Sequence, residues 1–230
     1  MYMAMRSFGD VGGLRLIDMP SGEGKYSVEL LQRGAAWVTS IDLAPKMLEL
    51  TVGRVAQMGA AERHTTVEAD ATTALDIAAR SGDASLLFDG ALGNFLFEYC
   101  ATDAALLQCA TNVFNCLRDG AKFVIMYVPG AKGAEDIAHV KAVLGIEATV
   151  LDDTIAPGDV VKIKYHRMKP TYCYEIHYWP VASVTAALER AGFQNVHVLR
   201  CAVDPAYSGD VDLARFAAHS GNRHITCVKP

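Results

Sequence analysis

Two short apolar runs, each ending at an acidic residue, constrain the fold of this chain more than any other feature. The first run, Leu14–Ile17, ends at Asp18, and the glycine-containing segment Met19–Gly24 follows directly. The second run, Trp37–Ile41, ends at Asp42, eighteen residues after that segment. A strand that enters a glycine-containing turn lets backbone N–H groups and a helix N-terminus approach a ligand closely. An acid at the tip of the next parallel strand then lies where the ribose hydroxyls of a ligand are bound.

The glycine spacing separates two classes of ligand. The pattern G-x-G-x-x-G is typical of a dinucleotide site, but Ser27 stands where that pattern has its third glycine. An acid, Asp18, also precedes the first glycine by four residues. The pattern Asp18-x-x-x-Gly22-x-Gly24 resembles the first motif of class I S-adenosylmethionine (SAM)-dependent methyltransferases. A tight turn without a ligand and a nicotinamide-dependent reductase are the alternatives.

Further segments resemble the same family in the same order along the chain. A third apolar run ends at Asp70, and Leu117–Phe123 resembles the family's turn into its fifth strand. Ala191–Phe193 resembles the family's last helix end. The resemblance implies an α/β fold with a doubly wound, seven-stranded, mostly parallel sheet and an antiparallel last strand, the Rossmann-like methyltransferase fold.

The alternation of short β-rich runs with helical patterns predicts the same architecture. Strands are predicted near 14–18, 36–41, 65–69, 84–89, 121–128, 195–201 and 223–229. Helices are predicted near 24–33, 45–58, 72–80, 102–117 and 181–191. In the fourth strand either Asp83 or Asp89 is the family's acid, and Asp89, which Gly90 follows, is better placed at the strand tip.

Composition limits the organisation of the chain and its partners. A length of 230 residues, 51% of them hydrophobic, predicts one domain over residues 1–230 with a sizeable core. A net charge of −5 disfavours nucleic acid as a partner. The six cysteines include no C-x-x-C pair, so no metal is expected. Without a signal sequence or a membrane span, we expect a cytoplasmic protein, as a monomer or homodimer.

The segment 129–180 is too long for a plain loop and is interpreted as an insertion that covers the substrate. Alternating patterns at 160–166 and 172–178 predict a β-hairpin after strand five. Aromatic side chains on this hairpin and just after it are the substrate-binding candidates: Tyr172, Tyr174, Tyr178 and Trp179. The alternative is that these rings only cover the core of the sheet.

This part of the chain resembles the ToxA-type small-molecule methyltransferases. Tyr178-Trp179 before the last helix, the closing stretch 212–216 and Glu98–Ala101 carry the likeness. The resemblance implies methyl transfer from SAM, with S-adenosylhomocysteine (SAH) as product, to an O or N atom of a small molecule. Only Met1–Gly13 precede the first strand, so the helical lid of the family is expected to be short or missing. A catalytically silent subunit that binds SAM or a partner protein is the alternative function.

The resemblance also implies roles for individual residues. Asp42 holds the ribose hydroxyls, Leu43 flanks the adenine and Asp70 meets the adenine amine. The cofactor-binding candidates are Asp18, Pro20, Ser21, Gly22, Gly24, Asp42, Leu43, Met47, Asp70, Ala71, Asp89 and Gly90. The candidates for a general base, of which one or none acts, are His177, His166, Tyr99 and Tyr127.

Overall fold

A computed structural model describes residues 2–82, 86–128, 146–150, 155–166, 171–200 and 223–230. The helices are α1 Tyr2–Phe8, α2 Lys25–Gln32, α3 Pro45–Gln57, α4 Ile77–Arg80, α5 Asp103–Cys116 and α6 Val181–Ala191, with short 3-10 helices at Ala61–Arg63 and Phe97–Tyr99. The strands are β1 Arg15–Asp18, β2 Trp37–Asp42, β3 His64–Glu68, β4 Phe88–Asn94, β5 Leu117–Tyr127, β6 Ile146–Val150, β7 Val160–Tyr165, β8 Tyr172–His177, β9 Gln194–Arg200 and β10 Arg223–Val228. None of the helices described here is both long and apolar enough to cross a membrane.

Seven strands form one sheet in the order β3-β2-β1-β4-β5-β10-β9. The pairs from β3 to β5 are parallel, whereas β10 runs antiparallel to both β5 and β9. This arrangement confirms the predicted sheet and its antiparallel last strand. The strand order reverses between β1 and β4, and a crevice forms at the carboxyl ends of strands at such a point.

The central strands are buried on both faces, as expected for a parallel sheet covered by helices. In β5, Phe123 packs into the cluster beneath α5 and α6, while its neighbour Val124 packs into the cluster beneath α1, α2 and α3. Ile17 and Leu16 divide between the same two clusters in β1. Successive residues of a strand point to opposite faces, so each apolar pair fills both layers.

The ends of the helices follow from local sequence. Pro45 opens α3, because its fixed φ suits the first helical turn. The side chain of Thr102 accepts a hydrogen bond from the Ala105 N–H at 3.2 Å and begins α5. The helix α6 ends at Gly192 with φ +109°, where a Cβ atom would lie 2.8 Å from the Phe114 ring. Glycine is required there for both its conformation and its size.

The fourth strand differs from the prediction of 84–89 and places Asp89 at the opposite edge of the sheet. Because β4 runs from Phe88 to Asn94, Asp89 lies at its amino end. One Asp89 oxygen accepts the Arg15 N–H at 2.8 Å, and the other accepts Arg118 Nη1 at 2.5 Å. Gly90 follows inside the sheet. The assignment of Asp89 and Gly90 to the cofactor is therefore wrong.

Small residues in β4 explain this error. A Cβ atom at Gly90 would lie 2.9 Å from the Phe8 ring, and one at Gly93 would lie 2.8 Å from the Phe123 ring. Aromatic rings press on both faces of the backbone, so the centre of the sheet requires glycine where strand propensity alone disfavours it.

The insertion contains a separate antiparallel sheet in the order β6-β7-β8. The predicted hairpin is confirmed, with Val160 opposite His177 and Tyr165 opposite Tyr172, while the third strand β6 was not predicted. Its connecting residues 167–170 lie outside the described residues. One face buries the side chains of Val161, Ile163, Ile176 and Tyr178. On the other face, Lys162 and Glu175 form an exposed ion pair of 3.4 Å.

Candidate functional site

The loop between β1 and α2 brings backbone to the carboxyl edge of the sheet. The Ser21 N–H donates to the Ile41 carbonyl at 2.9 Å, which ties the loop to β2. Gly22 has φ +52° and open space where a Cβ would stand. Gly24 has φ +80°, and a Cβ there would lie 2.6 Å from the Thr51 methyl group. The second glycine thus permits close packing on α3, while the first leaves the loop backbone accessible.

Asp42 links this loop to the end of β2. Its Oδ2 accepts the Gly22 N–H at 2.8 Å, and its Oδ1 accepts the Ala44 N–H at 2.9 Å. An ionised carboxylate has about four acceptor sites, so both oxygens can still accept ligand hydroxyls. Beside Asp42, Leu43 and Met47 are 63% and 39% exposed, and they offer apolar surface to a planar ring.

Asp70 lies in the turn after β3, which α5 holds in place. Asp70 Oδ1 accepts hydrogen bonds from the N–H and the hydroxyl of Thr72 at 2.8 and 2.7 Å. From α5, the Asn112 amide donates to the carbonyls of Ala71 and Thr73 at 2.9 and 2.7 Å. Asn112 was missed in the sequence, where its position in the apolar stripe of α5 was the available signal.

Asp18 is fully buried and supports the loop from below. Its Oδ2 accepts the Ser27 hydroxyl at 2.6 Å, and Ser27, Ser40 and His64 continue the chain of hydrogen bonds with two contacts of 2.7 Å. Burial raises the pKa of Asp18 to about 7, against the lowering effect of its bonds to Ser27. Ser27, which departs from the dinucleotide pattern, is therefore the partner of the buried acid.

Several buried polar atoms at this edge have no hydrogen-bond partner within the part of the chain that the structure describes. They belong to Asp18, Ser21, Asn94 and Glu98. Because buried polar groups in folded proteins are nearly always paired, these atoms are candidates for contacts with a ligand. These unpartnered polar groups fit SAM, which carries an ammonium group, a carboxylate and hydroxyls. Asn94 and Glu98 were not among the predicted site residues.

Three tyrosines meet near this edge of the sheet. The Tyr172 and Tyr174 ring centroids are 5.6 Å apart, and β8 packs against the short helix Phe97–Tyr99. Burial raises the pKa of Tyr99 to about 12, with smaller contributions from Tyr174, Glu98, Tyr172 and Asp42. The structure thus brings Tyr99, Tyr172 and Tyr174 together near Asp42.

Other predicted residues have structural contacts instead. The buried Tyr127 hydroxyl donates to the Trp179 carbonyl, and burial raises the pKa of Tyr127. The Trp179 indole donates to the Cys100 carbonyl at 2.8 Å within the core. Tyr178 packs with Ile176 inside the hairpin sheet. Each of these three residues thus has a structural contact, and the roles predicted for Tyr127 in catalysis and for Tyr178 and Trp179 in substrate binding stay predictions.

The two histidine candidates lie on the hairpin. His177 Nδ1 donates to the Gly158 carbonyl at 2.8 Å, which leaves Nε2 as its available atom. His166 is exposed directly after β7. No group of three or more His, Cys, Asp or Glu side chains able to hold a metal ion is found in the ranges described.

Comparison with known proteins finds one family model that matches the N-terminal half of the chain. Residues 16–120 match the model of a methyltransferase domain family. This match includes most of β1, all of β2 to β4, α5 and the loop that carries Gly22 and Gly24. No curated protein sequence matches the chain.

Solved structures resemble the chain over nearly its whole length. A SAM-dependent methyltransferase from Mesorhizobium loti has a TM-score of 0.67 at 21% identity, over 99% of this chain and 96% of that one. A glycopeptide N-methyltransferase complexed with SAM has a TM-score of 0.62 at 16% identity, over 100% and 92%. An amino pentose methyltransferase from Micromonospora echinaspora has a TM-score of 0.62 at 14% identity, over 100% and 88%. The chain thus has the fold of SAM-dependent methyltransferases.

Proposed function

We propose that this protein transfers a methyl group from SAM to a nitrogen or oxygen atom of a small molecule, as its resemblance to ToxA-type enzymes implies. The contact between Asp42 and the Gly22 N–H, 2.8 Å long, carries the proposal. It joins the accessible loop backbone to an acid at the tip of β2, the neighbour of β1 at the reversal of the strand order, and a ligand with ribose hydroxyls is held at such a place.

In this proposal, different residues bind different parts of the cofactor. The loop backbone around Gly22 cradles the methionyl part, Asp42 accepts the ribose hydroxyls, Leu43 and Met47 flank the adenine, and Asp70 accepts the adenine amine. When bound, SAM supplies an electrophilic methyl carbon on a positively charged sulfur. The protein then has to align the acceptor and remove its proton.

The site can supply both alignment of the acceptor and removal of its proton. Holding two reactants in line contributes about 7–11 kcal/mol, and a positioned base contributes roughly 10²–10⁴-fold in rate. The hairpin rings of Tyr172 and Tyr174 stand beside Tyr99 on the acceptor side. Two of the structural neighbours act, by name, on a glycopeptide and on an amino pentose, which supports a small-molecule acceptor here.

The alternative of a catalytically silent subunit makes a different prediction. Buried polar atoms of Ser21 and Asn94 without partners among the described residues favour a ligand at the edge, but they do not require turnover. Calorimetry with SAM and SAH, followed by an assay of labelled methyl transfer to a panel of amines and phenols, tests both the methyltransferase and the silent subunit. Absence of SAM binding would refute the proposed site, and binding without transfer to any acceptor would favour the silent subunit.

A further inference from the structure

Glu98 carries a buried carboxylate whose second oxygen has no partner among the described residues. The residue lies in the short helix Phe97–Tyr99 after β4 and is 2% exposed. Its Oε1 accepts the N–H of Val128, the residue after β5, at 2.7 Å. Its Oε2 is buried and makes no hydrogen bond to any described residue. A buried carboxyl group is costly to ionise unless it is paired, so this oxygen is suited to an external partner of opposite charge.

Asn94 provides a second unpartnered group at the neighbouring strand end. It is the last residue of β4, it is 4% exposed, and neither its amide nitrogen nor its amide oxygen has a described partner. Asn94 lies opposite Met126 in β5, and Val128, the donor to Glu98, is two residues further on. Asn94 and the Val128 N–H that holds Glu98 therefore lie at the carboxyl ends of the adjacent strands β4 and β5.

The titratable groups that face Glu98 are neutral at pH 7. They are Tyr99 and Cys100 on its own segment, Tyr127 on β5 and Tyr174 on β8. The pKa of each of these four groups is raised, mainly by burial for the tyrosines and by the bond to Cys109 for Cys100. Burial raises the pKa of Glu98 itself to about 8. No positive side chain among the described residues contributes to that shift, so an ionised Glu98 lacks a counter-charge from them.

The other acids of this edge also have uncharged partners. Asp42 accepts two backbone N–H groups, and Asp70 accepts the N–H and the hydroxyl of Thr72. The acids of the edge therefore favour a cationic ligand over an anionic acceptor group beside Glu98. The charge of a cationic ligand offsets the free-energy cost of burying ionised Glu98, whereas a neutral alcohol brings no such charge.

We propose that the methyl acceptor is an amine, that Glu98 binds its nitrogen and takes its proton, and that Asn94 completes the polar contact. This inference rests on the proposed function and names its substrate class. The exposed ring of Tyr99 and the partly exposed ring of Tyr174 open a route to Oε2 by rotation. Their faces then flank the ammonium group, an arrangement that stabilises cations.

The proton and electron balance of the step is complete without a further reactant. An ammonium proton passes to Glu98 Oε2 and leaves a neutral amine with a lone pair. The lone pair forms the new bond to the methyl carbon while the carbon–sulfur bond breaks, and that electron pair stays on sulfur. The products are an N-methylammonium ion, a neutral thioether and protonated Glu98, which returns its proton to solvent.

The test compares benzylammonium with its neutral analogue benzyl alcohol on SAH-loaded protein. We expect the wild-type protein to bind benzylammonium at least about tenfold more tightly, because an ionic hydrogen bond exceeds a neutral one. Glu98→Gln should abolish this preference while retaining an acceptor for the Val128 N–H and a similar volume. The control Glu175→Gln removes the same charge from the exposed hairpin face, where Lys162 is the partner, and should preserve the preference.

A proton count tests the same assignment in wild-type protein alone. At pH 7 Glu98 is mostly protonated, because burial raises its pKa to about 8. Binding of benzylammonium should ionise it and release close to one proton. Calorimetry in two buffers of different ionisation enthalpy measures this release, and Glu98→Gln should show none.

Several outcomes would overturn the inference. These are no detectable benzylammonium binding, equal affinity for the amine and the alcohol, no proton release in the wild type, or an undiminished preference in Glu98→Gln. Loss of SAM affinity in Glu98→Gln would also overturn it, since Glu98 would then serve the cofactor. A wild-type protein that binds neither SAM nor SAH would instead refute the proposed function, and the inference with it.

Discussion

The Ser27 hydroxyl donates a hydrogen bond of 2.6 Å to the buried carboxylate of Asp18, directly below the loop that is proposed to hold the cofactor. This bond lowers the pKa of Asp18, while burial raises it more strongly, to about 7. The folded state thus favours the protonated acid over a wide range of pH. Asp18 therefore couples the stability of the loop to pH.

We predict that the contribution of Asp18 to stability falls as pH rises. Burial raises its pKa from the ordinary value of 3.8 to about 7 in the folded state. The stabilisation is complete below about pH 4 and is lost as pH rises toward 7, because the unfolded chain then binds fewer protons. Urea unfolding of wild type and Asp18→Asn between pH 4 and 8 measures this slope, which should be shallower in the variant. Parallel slopes would contradict the prediction.

Replacement of Ser27 by alanine should destabilise the protein by about 1–3 kcal/mol at pH 8, because Asp18 loses its hydroxyl donor. The loss should be smaller at pH 5, where Asp18 is protonated in both proteins. Ser81→Ala is a control, since it removes a hydroxyl that donates to the Ile77 carbonyl in α4, away from Asp18. An equal loss at both pH values would show that the donor role is not what matters.

Asp42→Ala should weaken SAM binding by roughly 1.5–3 kcal/mol, or about ten- to hundredfold, because charge-assisted bonds to the ribose hydroxyls disappear. Asp89→Ala is the matched control, because Asp89 lies at the opposite edge of the sheet with Arg15 and Arg118. Calorimetry with SAM on both folded variants checks the prediction. Unchanged affinity in Asp42→Ala would remove Asp42 from the cofactor site.

Much of the fold was predictable because its signals are local. Glycines and acids at fixed spacing marked β1 and β2, and Ala191-Gly192-Phe193 marked the end of α6. The fourth strand was misplaced because its glycines make room for Phe8 and Phe123, which are distant in the chain. No local pattern carries that information.

The candidate site was less predictable for the same reason. Asn112 donates hydrogen bonds to the carbonyls of Ala71 and Thr73, about forty residues earlier in the chain. Glu98, which follows β4, accepts the N–H of Val128, which follows β5. In the sequence each is one polar residue in an apolar setting, a pattern that does not identify its partner. Tyr127 is a candidate base in the sequence, which does not indicate that its hydroxyl donates to a core carbonyl.

Asn112→Leu tests whether α5 holds the turn that carries Asp70. The variant removes donors to two carbonyls and the acceptor of the Leu75 N–H, 3.1 Å away. We expect a loss of about 1–3 kcal/mol in stability, since buried groups lose partners, and weaker SAM binding through the displaced turn. Gln108→Leu, which removes the bond from Gln108 to Asn112 and leaves the turn's own bonds in place, is the control. SAM affinity equal to wild type would show that the turn does not need Asn112.

Alanine variants of the hairpin tyrosines distinguish a role in acceptor binding from a purely structural role. Tyr178 is 7% exposed and packs inside the hairpin sheet, so Tyr178→Ala should lose about 3–5 kcal/mol of stability, the usual cost of deleting a large buried ring. Tyr172 is 55% exposed, and its ring lies against that of Tyr174 near Tyr99. Tyr172→Ala should therefore melt near the wild-type temperature and keep its SAM affinity.

The functional loss in Tyr172→Ala should appear in kcat/KM for the acceptor, because this quantity reports transition-state stabilisation from free enzyme and substrate. Tyr165→Ala is the matched control, since Tyr165 lies directly opposite Tyr172 on β7. Melting, SAM calorimetry and acceptor kinetics on the three variants give the answer together. If Tyr172→Ala loses stability as Tyr178→Ala does, or retains full acceptor kinetics, the hairpin is scaffold and the acceptor binds elsewhere.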